Sequence, residues 1–339
     1  MSTNLTLRCH CNLHNWSIPY PSTALPTPAW YCHCSICRRV SGAPFIAHLG
    51  PLPVPLCSST SSPPDSLRVY NTSARGRRYS CTKCGTYLAT STPVGIQPEL
   101  WFACVGTLEL GSLSADQAYK FGEHYDVLST GDGGFAGWLD DDLPKWVSGP
   151  PAEFVFPAES LPAGRTSDAE GREVLRGGCH CGGVRLEVLR PPASTELGGT
   201  NEIREGGGER WSSKICWCSD CRRSLGYPCP AFLTVGREHF RFLERRNLQV
   251  YKSSPKVERT FCGTCGASVS RSSSSGDVDL CIGLLDVDSE NGDGLAGLLN
   301  NWVQWESFQH DEDCRDKVLR DALLRGMRKD RLLDEESIH

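Results

Sequence analysis

The stretch CHCSICRR, residues 32–39, sets Cys32, Cys34 and Cys37 close together and follows them with Arg38 and Arg39. A second stretch, CWCSDCRR, residues 216–223, does the same with Cys216, Cys218, Cys221, Arg222 and Arg223. Cysteines this dense form disulfides or hold metal. Disulfide scaffolds belong to short secreted chains, and this one has 339 residues with 19 cysteines, an odd number. Metal binding is the better account, and the remaining cysteines test it.

Each triplet lies between two further cysteine pairs. The first set reads RCHC (Cys9, Cys11), the triplet, then YSCTKCG (Cys81, Cys84). The second reads GCHCGG (Cys179, Cys181), the triplet, then TFCGTCG (Cys262, Cys265). Zinc takes four ligands in a closed structural site and three in a site that keeps one position open. Seven thiols therefore divide into four and three. Cys9, Cys11, Cys81 and Cys84 form one closed site, and Cys179, Cys181, Cys262 and Cys265 form its counterpart. The two triplets are three-thiolate sites with an open position, the arrangement of catalytic zinc. That allows up to two zinc ions per repeat. The competing reading makes every cluster a staple, since a structural zinc contributes on the order of 10 kcal/mol to folding.

The neighbouring residues divide in the same way. Arg38, Arg39, Arg222 and Arg223 bind the carboxylates of an anionic substrate, or they compensate thiolate charge. His33 lies inside the first triplet and could serve as a fourth ligand there, but its counterpart Trp217 cannot ligate, so a ligand role shared by both repeats is not expected. His10 and His180, each between two ligands, are expected to point to solvent. Cys57, Cys104, Cys229, Cys281 and Cys314 follow no pattern and read as small buried hydrophobes.

The elements that carry these residues are short. VRLEVL (184–189), FIAHLG, FRFL, LQVY and ELWFACVG read as strands between turns. VYNTSARGRRYSC and VYKSSPKVERTFC align without a gap, which extends the repeat beyond cysteine. Residues 51–66 and 191–210 read as loops. Helical periodicity is confined to CRDKVLRDALLRGMRKDRLLDEE, through Leu319, Leu323, Leu324 and Met327. The expectation is an all-β protein of two tandem zinc-stabilised domains, 1–156 and 177–339, joined by a linker at 157–176, with a C-terminal helix on the second.

A net charge of −5 argues against a nucleic-acid partner. No apolar run is long enough for a membrane span, and no secretory signal is visible at the N-terminus. The expected compartment is the reducing cytoplasm, with the nucleus left open.

On GGCHCGGVRLEV, CWCSDCRRSLGYP and ERTFCGTCGASV, and on RCHC, CHCSICRRVSGAPF and RRYSCTKCGTYL, the chain resembles the glutathione-dependent formaldehyde-activating enzyme family, which includes centromere protein V. The resemblance implies a structural zinc on the outer motifs and a catalytic zinc on the triplet. It also implies a carbon–sulfur lyase that adds a small thiol such as glutathione to a small carbonyl substrate. The alternative it suggests is a non-catalytic zinc scaffold that binds protein partners. Family members carry a late His, then Trp, then Leu-Pro. The first repeat offers His124, Trp138 and Pro144, the second only a degenerate match, which gives the first repeat a slight edge as the active half.

Overall fold

The computed structural model describes residues 2–56, 64–74, 76–92, 99–158, 166–191, 210–273, 276–287, 294–309 and 314–333. Cys57 and most of the 191–210 insertion lie outside them. The chain is mostly β. Each repeat builds a seven-stranded sheet, and the two sheets share one strand order. In the first the order is Tyr119–Tyr125, Thr27–Cys32, Ile46–Leu49, Trp101–Cys104, Tyr87–Ser91, Gly76–Cys81 and Leu67–Ser73. In the second it is Val303–Gln309, Trp211–Cys216, Ala231–Gly236, Asp277–Cys281, Ser268–Ser272, Val257–Cys262 and Leu248–Ser254. The first pair in each sheet is parallel and the others are antiparallel. A smaller sheet accompanies each large one. Thr166–Ser167 and Glu173–Gly178 belong to the second of these, so the latter part of the expected linker is sheet.

Six α-helices lie among the described residues: α1 (Ser35–Ser41), α2 (Ala115–Ala118), α3 (Phe135–Trp138), α4 (Ser219–Leu225), α5 (Leu295–Trp302) and α6 (Lys317–Lys329). None is long and apolar enough to cross a membrane. α6 is the helix that Leu319, Leu323 and Met327 announce, and all three are buried. It docks on the first repeat. A side chain at Gly326 would place its Cβ 2.0 Å from the Trp138 carbonyl oxygen, and Asp140 N donates to Ala322 O at 3.1 Å.

The repeats are packed together about a pseudo-twofold relationship. Gly106 N donates to Gly226 O at 3.1 Å, and Gly283 N donates to Gly42 O at 2.9 Å. Gly42 and Gly226 close α1 and α4 in the left-handed region, with φ of 83° and 73°. Their missing side chains leave room for the other repeat. A Cβ would sit 2.3 Å from Ser268 O at Gly42 and 1.9 Å from Tyr87 O at Gly226. Phe45 meets Tyr227 edge-to-face at 4.8 Å, and Trp138 meets Trp305 at 5.8 Å. The main hydrophobic core therefore runs through both repeats, and a smaller cluster surrounds Cys32 and Cys37.

Candidate metal centres

The four-cysteine sets meet where the short N-terminal loop of each repeat crosses the turn after a sheet strand. Cys81 and Cys262 end their strands, and Gly85 and Gly266 turn the chain behind Cys84 and Cys265. Their sulfurs lie within 4.8 Å of one another, as do those of each triplet. Cys9–Cys11 and Cys11–Cys81 are both 3.6 Å apart, and Cys179–Cys181 and Cys181–Cys262 both 3.5 Å. A zinc–thiolate tetrahedron has edges of about 3.8 Å, so the donors are already close to ligating positions.

Each triplet uses a strand and a helix. Cys32 and Cys216 end strands, Cys34 and Cys218 are the N-caps of α1 and α4, and Cys37 and Cys221 sit in the first turn. The cap sulfurs accept from Cys37 N at 3.2 Å and Cys221 N at 3.3 Å. Cys32 and Cys34 sulfurs are 3.5 Å apart, and Cys216 and Cys218 3.4 Å.

Crowding splits the acidities. Hydrogen bonding with Cys262 pushes Cys179 up to about 12, while hydrogen bonding with Cys265 draws Cys181 down to about 6. Cys37 and Cys221 are held well below a normal thiol, first by Cys32 and Cys216 and also by Arg78 and Arg259. Four or three thiolates share such a space when a cation balances them, and an all-sulfur donor set suits zinc. The residues therefore fit the metal.

Other sequence candidates fall elsewhere. Arg39 donates across the interface to Gly178 O at 2.9 Å and Cys179 O at 3.3 Å. Arg222 donates to Leu108 O at 3.0 Å, and Arg223 lies 3.2 Å from Glu109. Arg38 is 1 % exposed, and burial pushes its guanidinium down to about 10. These four arginines are occupied by burial and by packing between repeats, because each follows its triplet into a helix that faces the other repeat. His10 and His180 do not face solvent as expected. His10 Nδ1 meets Tyr251 OH, and His180 Nδ1 meets Tyr70 OH, both at 2.9 Å and both across the interface. His33 turns from the thiols to His124, 2.9 Å away, and His124 Nε2 meets Asp141 at 3.1 Å. Cys104, Cys229, Cys281 and Cys314 are buried, as read.

Sequence reasoning missed the cations that do face the thiols. Arg78 Nη2 is 3.7 Å from Cys37 Sγ, and Arg259 Nη2 is 3.4 Å from Cys221 Sγ. Their alignment between the repeats was the available signal. A cavity of about 290 Å³ adjoins the second triplet and is lined by Lys214, Phe232, Ser253, Arg259 and Arg271 as well as the three cysteines. Asp126 Oδ2 lies 3.5 Å from Cys32 Sγ in the first repeat. Its register counterpart, His310, is outside the described residues.

No curated protein matches the chain. Among solved structures, a Rhodobacter sphaeroides protein matches at 21% identity over 38% of this chain and 98% of its own, with a TM-score of 0.25, a likeness that bears on neither fold nor function. The model of the glutathione-dependent formaldehyde-activating enzymes matches residues 4–123 and 201–296, one segment in each repeat and more than half of the whole. The chain belongs to the glutathione-dependent formaldehyde-activating enzyme family.

Proposed function

We propose that this protein is a zinc-dependent carbon–sulfur lyase that joins a small thiol, glutathione or a relative, to a small carbonyl compound and reverses the reaction. The observation that carries this reading is the second triplet, where three converging thiols open onto a cavity lined by Lys214, Arg259 and Arg271. At about 290 Å³ the cavity is near the lower end of small-molecule sites. The four-cysteine sets then serve as structural sites and the triplets as reaction sites. The cavity shifts the weight from the first repeat, which the late His-Trp-Leu-Pro motif favours, to the second.

In the forward direction a carbon–sulfur bond forms as the carbonyl π bond breaks. The thiol proton passes to the carbonyl oxygen, giving a hydroxyalkyl thioether. Zinc bound at the triplet supplies the positive charge that makes a thiol acidic at neutral pH. Arg259 donates to the Cys221 sulfur and keeps it ionised. Lys214 and Arg271 hold an anionic part of the thiol substrate, and Phe232 and the sheet behind it limit water.

Protein prepared without chelator is expected to carry up to four zinc ions by elemental analysis. In the cobalt-substituted protein, the sulfur-to-cobalt charge-transfer band should change on addition of glutathione, and Cys218→Ser should remove the change. A band that stays fixed at millimolar glutathione would replace this reading with a zinc scaffold that binds protein partners.

A further inference from the structure

Strand pairing gives a residue-by-residue correspondence between the two triplet sites. In the first sheet Trp30 pairs with His48, His48 with Cys104, and Thr90 with Phe102. In the second Lys214 pairs with Phe232, Phe232 with Cys281, and Arg271 with Asp279. Trp30 thus stands where Lys214 stands, His48 where Phe232 does, Thr90 where Arg271 does, and Phe102 where Asp279 does. The thiols and the arginine facing them are the same in both repeats. The wall beside them is not.

The second wall is ionic. Asp279, with its side chain 7 % exposed, accepts from Lys214 Nζ at 2.8 Å and from Arg271 Nη1 at 2.6 Å. One enclosed carboxylate therefore holds two cations, and both cations line the cavity. Arg259 faces the Cys221 sulfur, and Asp220, whose side chain is 67 % exposed, lies at the rim. The inner part of the cavity therefore has a positive surplus, which comes from Lys214 and Arg271 against the single carboxylate of Asp279.

The first wall is aromatic. Trp30 lies 5.1 Å from Phe102 and 5.6 Å from His48, ring centre to ring centre, and 6.5 Å from Tyr125. Trp30, Phe102 and Tyr125 are partly exposed, so the cluster offers ring surface. Trp30 and Cys32, two apart on one strand, share a face of the sheet, as Lys214 and Cys216 do. No charge replaces Lys214, Arg271 or Asp279 here.

We propose that the two triplets take different thiols: the second a thiol bearing a carboxylate, held by Lys214 and Arg271, and the first an uncharged thiol whose aromatic or apolar group lies on Trp30 and Phe102. This rests on the reading of the triplets as thiol sites. The duplication then provides two specificities at one chemistry. A carboxylate that reaches Lys214 and Arg271 gains charge-assisted hydrogen bonds; at Trp30 and Phe102 it would lose water and gain none.

Two thiols of similar reach separate the sites: 3-mercaptopropionate and 2-phenylethanethiol, each titrated calorimetrically into the full-length zinc-loaded protein. Mercaptopropionate binding should weaken with added salt, and phenylethanethiol binding should not. Arg271→Thr copies the first repeat and keeps the Lys214–Asp279 pair. It should weaken mercaptopropionate about tenfold and leave phenylethanethiol unchanged. Phe102→Ala should do the reverse. Cys218→Ser should abolish only the first ligand and Cys34→Ser only the second. Equal salt dependence, or loss of both thiols in the same variant, overturns the division of specificity while the thiol chemistry stands. If neither thiol binds the wild-type protein, both this inference and the proposed function fall.

Discussion

Arg78 and Arg259 each aim a guanidinium at the last sulfur of a triplet, and at residue scale this contact sets how firmly the thiolate is held. Arg259→Gln removes the charge, so the Cys221 thiol should rise and protons should compete with metal at a less acidic pH. A charge-assisted hydrogen bond is worth roughly 1.5–3 kcal/mol, and release of three thiolates takes up three protons at about 1.4 kcal/mol per pH unit each, so the midpoint of zinc release from the second triplet should move up by about half a pH unit. Arg259→Lys should recover part of the shift. A chromophoric chelator read across a pH series measures it, and an unmoved midpoint would show that the arginine only packs. The cysteine ligands divide by the same logic. Cys265→Ser breaks a closed four-thiol site and should leave the fold molten, because metal binding there is folding energy and the core runs through both repeats. Cys218→Ser should leave the fold intact by circular dichroism. Equal damage from both would make the triplet a staple. The cysteine clusters were legible because their spacing and order repeat. The arginine roles were not, since Arg38 and Arg222 stand beside the thiols in sequence but face away, and Arg78 and Arg259 arrive from another strand.

Among the elements, α5 depends on a residue from the other repeat. Asp132 accepts from Ala296 N at 3.1 Å and Gly297 N at 2.8 Å, which caps the start of the helix. It also accepts from Gly134 N at 3.0 Å. Asp132→Ala should cost about 1–2 kcal/mol in denaturant unfolding. Asp132→Asn, which keeps an acceptor oxygen, should cost less. Gly226→Ala should cost more than the cap. The left-handed backbone alone accounts for about 1–2 kcal/mol, and the new methyl collides with Tyr87 O of the first repeat. Strands such as Leu248–Ser254 and Arg185–Leu189 were readable from alternation and turn residues, and α6 from its stripe of leucines. α1 and α4 were not, because seven residues give two turns and no repeating period. α5 was hidden for the opposite reason. Leu295, Leu298, Leu299 and Trp302 are all buried, its small residues are too, and its two polar residues, Asn300 and Asn301, are adjacent, so eight residues show no period.

For the whole molecule, the two repeats behave as one folding unit. Tyr119 OH donates to Asp316 at 2.8 Å, Arg68 Nε to Gly263 O at 2.8 Å, and the two histidine–tyrosine pairs cross in opposite directions. Calorimetry of the zinc-loaded protein should therefore give one transition with matching calorimetric and van't Hoff enthalpies. Two separated transitions would mean that the repeats are independent. The duplication could be read from the sequence, but the interface could not, since the glycines, arginines, histidines and tyrosines that form it recur in both repeats without marking that they face one another. Its geometry has a consequence for synthesis. The Trp138 carbonyl that receives Gly326 is translated well before α6, and at about 5–20 residues per second the wait is roughly 10–40 s. Through that interval the nascent first repeat presents Phe45 and Trp138 without Tyr227 and Trp305 to cover them. Slow translation therefore lengthens the time this apolar face is open to aggregation, and a chaperone that shields it should raise the yield of the full chain.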